Sequence, residues 1–257
     1  MLDSQGMSLQ TQNLSVRYGG VVANSGISLS VAPGQIVGLI GPNGAGKTTF
    51  VDAVTGFADY TGSVSLGSVS LDGMPPHERR RAGLSRTWQS GELFPNLTLT
   101  QNVEAAVRWG GPGAVWRDLF GKRKPGLDPS VEKALDAVDL LRSGQTLARD
   151  LSLGQQKLVG VARALVGNCE LLLLDEPAAG LDSRESLEFA TCLRQLVTNG
   201  PGALLIDHDM SLVLGICDYI YVLEFGIIIA AGTSEEVRQN PAVISAYLGA
   251  PMEDVHG

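Results

Sequence analysis

The chain has 257 residues, of which 44% are hydrophobic and 18% charged, and its formal net charge is −8. This composition is typical of a globular protein and disfavours intrinsic disorder, and the negative charge argues against a broad nucleic-acid surface. Because no apolar run approaches the roughly 20 residues needed to span a bilayer, and residues 1–10 lack the features of a secretory signal, we expect a cytoplasmic protein of one or two lobes with no nucleic-acid partner.

Short apolar runs bounded by turn residues predict five strands in the first part of the chain. Helical patterns are predicted at Thr48–Val54 and Pro76–Arg81. We interpret the basic run Arg79–Arg81 as a solvated face of the second helix. The five predicted strands are Leu14–Tyr18, Ile27–Val31, Ile36–Ile40, Ser63–Leu66 and Ser68–Leu71.

The pattern changes between residues 89 and 150, where strand signals vanish and helical spacing is interrupted by Gly and Pro clusters. We predict an inserted helical subdomain there, with helices at Leu99–Trp109, Ala114–Phe120 and Pro129–Leu141. Residues 1–88 and 151–257 then form the two parts of one core. The second part contains predicted helices at Gln155–Val166 and Ser183–Val197, strands at Leu171–Leu174 and Ala203–Ile206, and a hairpin around Glu224–Gly226.

A glycine-rich loop between the buried strand and the first helix fits the pattern GxxxxGK[ST]. Glycines let the backbone N–H groups face phosphates at a helix N-terminus, Lys47 would reach the β and γ phosphates, and Thr48 would bind Mg²⁺. The loop therefore predicts a site for a nucleoside triphosphate. Its residues are Gly41, Pro42, Asn43, Gly44, Ala45, Gly46, Lys47 and Thr48.

Two carboxylates follow the apolar strand at Leu171–Leu174. Open α/β sheets bind ligands at the carboxyl ends of their strands, so we expect both acids at the phosphate site. Asp175 would hold Mg²⁺ through water, and Glu176 would accept a proton from the attacking water or orient it.

These motifs, together with four others, resemble the nucleotide-binding subunit of ABC transporters over nearly the entire chain. The resemblance implies an α/β fold with a P-loop core, a mixed sheet with an antiparallel β layer and an inserted helical subdomain. It also implies ATP and Mg²⁺ as ligands. The motifs are the loop Gly41 to Thr49, Gln89 in Arg-Thr-Trp-Gln, the segment from Leu151 to Gln155, Asp175-Glu176-Pro177, Gly180-Leu181-Asp182 and His208.

The resemblance also implies individual roles. Gln89 is similar to the glutamine that contacts Mg²⁺ and the attacking water, and His208 to the histidine that binds the γ-phosphate. Tyr18 resembles the aromatic residue that stacks on adenine, and Asp182 the aspartate of the loop that crosses the dimer interface. Thr49 belongs to the phosphate loop. The residues expected to act on the ATP of a partner subunit are Ser152, Gly154 and Gln155.

The segment Leu151–Gln156 departs from the family's commonest form, LSGGQ, because Leu153 replaces the first glycine. This replacement brings the geometry of the loop into question. Since Ser152 and Gly154 are retained, we expect ATP-dependent closure of two subunits to survive.

Three features resemble those of branched-chain amino acid import ATPases, particularly the subunit with the longer helical insert, and the tail is the most specific of them. The features are Arg-Thr-Trp-Gln around Gln89, Gly154-Gln155-Gln156 followed by Ala162-Arg163-Ala164-Leu165, and the tail from His208-Asp209-Met210 to Asn240-Pro241 and Ala246-Tyr247-Leu248-Gly249. This resemblance implies a peripheral protein on the cytoplasmic face of the membrane, paired with an identical or related cassette, bound to permease subunits and served indirectly by a solute-binding protein. The alternatives are urea or amide importers, lipopolysaccharide-export ATPases and, as a separate class, soluble ABC ATPases without a channel.

Overall fold

A computed structural model describes residues 9–87, 93–107, 127–198, 200–207 and 209–248. Four strands form an antiparallel layer in the order β2-β1-β4-β5. Buried side chains such as Leu14 and Val16 alternate with exposed ones along β1, as expected where one face of a sheet covers a core. The strands are β1 (Leu9–Tyr18), β2 (Val21–Val31), β4 (Thr61–Leu66) and β5 (Val69–Ser70).

A second sheet lies at the centre, in the order β10-β9-β3-β8-β7-β6, and all its neighbours are parallel except β10 and β9. Every residue of β3, β7 and β8 is buried, which explains their continuous apolar sequences. The parallel strands bring their carboxyl ends to one edge of the sheet. The six strands are β3 (Ile36–Ile40), β6 (Leu84–Arg86), β7 (Leu171–Asp175), β8 (Gly202–Ile206), β9 (Tyr219–Glu224) and β10 (Ile227–Gly232).

Nine helices are described in these parts of the chain, with short 3-10 turns at Leu141–Ser143 and Ala148–Asp150. Three of them, α3, α4 and α5, pack together and bury Leu99, Val131 and Val159. The helices are α1 (Lys47–Thr55), α2 (Pro76–Ala82), α3 (Leu99–Val107), α4 (Pro129–Ala137), α5 (Leu153–Leu165), α6 (Ser183–Thr198), α7 (Met210–Ile216), α8 (Ser234–Gln239) and α9 (Pro241–Leu248).

The predicted fold class is confirmed: an α/β core with a mixed sheet and an antiparallel layer carries a group of packed helices. The boundaries at residues 88 and 150 remain a prediction, and the helix predicted at Ala114–Phe120 lies outside the described residues. None of the described helices has the length and apolar composition required to cross a membrane.

The interpretation of Arg79 as a solvated residue is wrong, because its side chain is only 3% exposed. Its guanidinium donates to the carbonyl oxygens of Ala53 (2.9 Å) and Val54 (2.7 Å) at the end of α1, and to that of Met74 (2.9 Å). The last carbonyls of a helix have no partner within the helix and attract cations. Arg79 therefore caps the helix that begins at the phosphate loop.

Arg80 makes the equivalent contact with the end of α5. Its guanidinium donates to the carbonyl oxygens of Ala164 (3.1 Å), Val166 and Asn168 (2.7 Å). Only Arg81 is exposed, as predicted for the whole run. Thus α2 joins the C-terminal ends of two helices that lie far apart in the sequence.

Replacing Arg79 with methionine is expected to lower the free energy of unfolding by about 3 kcal/mol, because several buried carbonyls lose a charged donor. Chemical denaturation of the purified chain measures this loss. The matched change Arg81→Met affects an exposed side chain of the same helix and is expected to cost less than about 0.5 kcal/mol. Equal losses in the two variants would contradict a capping role for Arg79.

Candidate nucleotide site

The phosphate loop connects the end of β3 to the start of α1 at Lys47, so the first N–H groups of the helix face the loop. Two of its glycines are required by close contacts. A Cβ atom on Gly41 would lie 2.0 Å from the carbonyl oxygen of Leu223, and one on Gly46, which has φ 103°, would lie 2.6 Å from Nδ2 of Asn24. The predicted strand, loop and helix are all present, and they form an anion-binding arrangement.

The ammonium of Lys47 lies within this loop. Its Nζ atom donates to the carbonyl oxygens of Gly41 (2.6 Å) and Pro42 (3.0 Å). Burial lowers the pKa of Lys47, and the neighbouring carboxylates of Glu176, Asp175 and Asp207 oppose that shift. The phosphate loop and the acidic ends of β7 and β8 thus meet at one edge of the sheet.

Asp175 is the last residue of β7, and its side chain is 9% exposed. Its Oδ2 atom accepts a hydrogen bond from Nη2 of Arg86 (2.9 Å), whose Nη1 donates to Oδ1 of Asp52 on α1 (2.8 Å). Arg86 was not among the predicted site residues. Its position in Arg-Thr-Trp-Gln, three residues before Gln89, was the available signal. Arg86 links the strand that carries Asp175 to the helix that follows the phosphate loop.

Glu176 follows directly in a left-handed backbone conformation, with φ 47°. Its N–H group donates to the carbonyl oxygen of Ile206 (2.7 Å), which ties this turn to β8. A non-glycine residue in this conformation costs on the order of 1 kcal/mol, and such strain is often found at functional sites. The strained turn places the Glu176 carboxylate at the same edge as Lys47.

Oxygen donors suited to Mg²⁺ are present at this edge. Thr48, in the first turn of α1, is exposed, and Asp175 supplies a carboxylate. No cluster of three or more His, Cys, Asp or Glu residues that could bind a metal occurs among the residues described. Mg²⁺ at nucleotide sites is usually bound by one or two protein oxygens together with phosphate oxygens and water. The predicted third ligand, Gln89, lies outside the described residues, as does His208.

The other predicted nucleotide contacts surround the loop. Asn43 and Gly44 are exposed at its tip, and Thr49 is half-buried on α1. Tyr18 lies at the end of β1 and is 56% exposed, which leaves an aromatic side chain accessible for a base to stack on. The roles of these residues remain predictions.

The segment Leu151–Gln156 forms the N-terminus of α5. Ser152 is the N-cap: its Oγ accepts from the N–H group of Gln155 (3.3 Å), and Oε1 of Gln155 accepts from the N–H group of Ser152 (3.1 Å). Leu153 begins the helix in ordinary helical conformation and is 40% exposed, so the leucine causes no backbone strain. The side chain of Gln155 is thus used within its own helix.

Two further contacts connect this segment to α6. The N–H group of Gly154 donates to Oε1 of Glu185 (3.1 Å). Asp182 caps α6, because its Oδ1 accepts from the N–H groups of Arg184 (2.9 Å) and Glu185 (2.8 Å). Glu185 was not predicted from the sequence.

The fold and the loop define a P-loop nucleotide-binding protein. The family model described as ABC transporter matches residues 24–179, and the chain belongs to this family as an ATP-binding subunit. A second model, described as branched-chain amino acid ATP-binding cassette transporter, matches residues 228–252. The family predicted from the motifs is therefore confirmed.

Similar proteins cover almost the whole chain. It is 38% identical to the high-affinity branched-chain amino acid transport ATP-binding protein LivG of Escherichia coli K12, over 94% of this chain and 97% of that protein. It is 35% identical to the lipopolysaccharide export system ATP-binding protein LptB of Acidithiobacillus ferridurans, over 94% and 96%. A crystal structure of an ABC transporter ATP-binding cassette in its ADP conformation has a TM-score of 0.81 and 30% identity, over 95% and 99% of the two chains.

Proposed function

We propose that this chain hydrolyses ATP to energise the import of branched-chain amino acids. The observation that carries this proposal is the match of residues 228–252 to the branched-chain amino acid cassette model. In the part that the structure describes, these residues include β10, α8 and α9, beyond the strands that build the nucleotide site. The 38% identity to LivG over nearly the full chain supports the same solute class, whereas LptB is less similar.

In this proposal two cassettes close around two ATP molecules. Lys47, Asp175 and Glu176 act on the ATP of their own subunit, and Ser152 and Gly154 on the ATP of the partner, which is a second copy or a related chain. Thr48 and Asp175 would hold Mg²⁺, which screens the phosphate charge. Gln89 and His208 complete the site, Tyr18 stacks on adenine, and Asp182 reports on the opposite site.

Permease subunits would bind this chain on the cytoplasmic face of the membrane. Their binding site would be a cleft between the core and the packed helices. This cleft has a volume of about 650 Å³. It reaches from Asp175 and Glu176 at the catalytic edge to Gly160 on α5. Phe57, which is 56% exposed, contributes an apolar side chain to the lining. A permease segment bound in this cleft would contact both the catalytic edge and the packed helices.

Deletion of the gene is expected to abolish high-affinity uptake of radiolabelled leucine, isoleucine and valine by intact cells. Wild-type protein should restore the uptake, and Lys47→Ala should not, because the phosphates lose their cation. Unchanged uptake of all three amino acids would contradict the proposed solute class. Loss of urea uptake instead would assign the chain to an amide importer, and co-purification with ribosomes in place of multi-spanning proteins would reject transport.

A further inference from the structure

The N-terminus of α5 already holds a carboxylate from the same chain. Oε1 of Glu185 lies 3.1 Å from the backbone nitrogen of Gly154 and accepts its hydrogen bond. Gly154 is buried and Glu185 half-buried, and a Cβ atom on Gly154 would lie 3.4 Å from Cβ of Glu185. The two residues are packed against each other as well as hydrogen-bonded.

This N–H group is one that the proposed function assigns to the partner's ATP. A helix N-terminus stabilises one anion by its dipole and its unpaired N–H groups, and a carboxylate and a phosphate suit it for the same reason. A single N–H proton cannot serve both acceptors at full strength, and two anions at this position repel each other. The Glu185 carboxylate and the γ-phosphate therefore compete.

We propose that Glu185 sets the ATP affinity of this half-site, because its carboxylate occupies the Gly154 N–H group until the partner's nucleotide displaces it. This inference rests on the proposed function of Ser152 and Gly154 and deepens it.

Glu185 is also connected, through its backbone, to the loop predicted to cross the dimer interface. Asp182 accepts the N–H group of Glu185 at 2.8 Å and so holds the first turn of α6. The side chain of Leu153 also packs beside Gly180 of the same loop, since its Cδ2 atom lies 3.3 Å from where a Cβ atom on Gly180 would be. A partner that contacts Asp182 would therefore move the turn that carries Glu185. Contact with the partner at one ATP site thereby affects the hydrogen bond between Glu185 and the Gly154 N–H group at the other ATP site.

The test compares Glu185→Ala with its parent in a Glu176→Gln background, where hydrolysis is blocked. The full chain, together with any second cassette that co-purifies with it, is titrated with Mg-ATP, and dimer formation is followed by size-exclusion chromatography with light scattering. We expect Glu185→Ala to lower the ATP concentration for half-maximal dimerisation by about tenfold, which is the weight of a charge-assisted hydrogen bond at the low end. Glu185→Gln, which keeps an acceptor but loses the charge, should fall between the two.

Glu188→Ala is the matched control, since this carboxylate lies on the same helix, is 62% exposed and pairs with Arg184 at 2.9 Å. Its midpoint should equal that of the parent. If Glu185 only stabilised α5, its replacement with alanine would instead raise the ATP concentration for half-maximal dimerisation, because α5 would be less well ordered. An unchanged or raised midpoint in Glu185→Ala would overturn the proposal. If neither parent nor variant dimerises with ATP, the proposed closure itself is wrong, and the inference falls with it.

Discussion

Glu176→Gln is expected to bind ATP normally and to lose about 10²–10⁴-fold in turnover, the usual contribution of a general base. The amide has the shape of the carboxylate, so the strained turn with its hydrogen bond to Ile206 is retained, but it cannot accept a proton from water. Because hydrolysis no longer separates the subunits, the ATP-bound dimer should accumulate. Phosphate release and light scattering measure the two effects.

Glu170→Gln provides the matched control for this prediction. Glu170 precedes β7 at the end of the strand opposite to Glu176, and its backbone pairs with Gly83 and Gly202. The same chemical change there is expected to leave turnover unchanged. Ordinary hydrolysis by Glu176→Gln would assign the base to another residue, and a comparable loss in Glu170→Gln would attribute the effect to the strand as a whole.

The parts of the site that are local in sequence could be predicted from it. The loop at residues 41–48 and the pair Asp175 and Glu176 follow buried strands whose apolar runs leave little choice of register. Strands β3 and β7 agree with the prediction to within a residue. These features are visible because a few neighbouring residues determine both the backbone and the chemistry.

The parts of the site that depend on contacts between residues distant in the sequence could not be predicted. Arg86 is 89 residues from Asp175 in the chain, and Glu185 is 31 residues from Gly154. A local pattern shows that a residue is charged, but not which buried group it will meet. For the same reason Arg79 and Arg80 were interpreted as solvated, although each caps a helix from elsewhere in the chain.

Short elements were missed for a different reason. Strand β6 has three residues, and α7 and α8 have seven and six, too few to show a periodic apolar pattern. The helices α7 and α8 begin at side-chain caps instead. Asp209 caps α7 and Thr233 caps α8, the latter through a capping box with Glu236.

Arg86 connects the two halves of the site through charge. Its guanidinium bridges Asp52 on α1 and Asp175 on β7, and its side chain is 10% exposed. Asp175 is 9% exposed and Asp52 33%, so the pair with Asp175 is the more deeply buried. One cation thereby fixes the position of the predicted Mg²⁺ ligand relative to the helix that begins at Lys47.

Replacing Arg86 with methionine is therefore expected to lower the free energy of unfolding by about 3 kcal/mol, because Asp175 is left as a buried charge without its cation. Arg86→Lys should recover only part of this loss, since one ammonium cannot reproduce the fork that reaches both carboxylates. Urea denaturation measures both variants. Adding Asp175→Asn to Arg86→Met should raise the stability above that of the single variant, because it removes the uncompensated charge. If the two losses simply add, the ion pair is not what holds Asp175, and packing of the Arg86 side chain accounts for the effect.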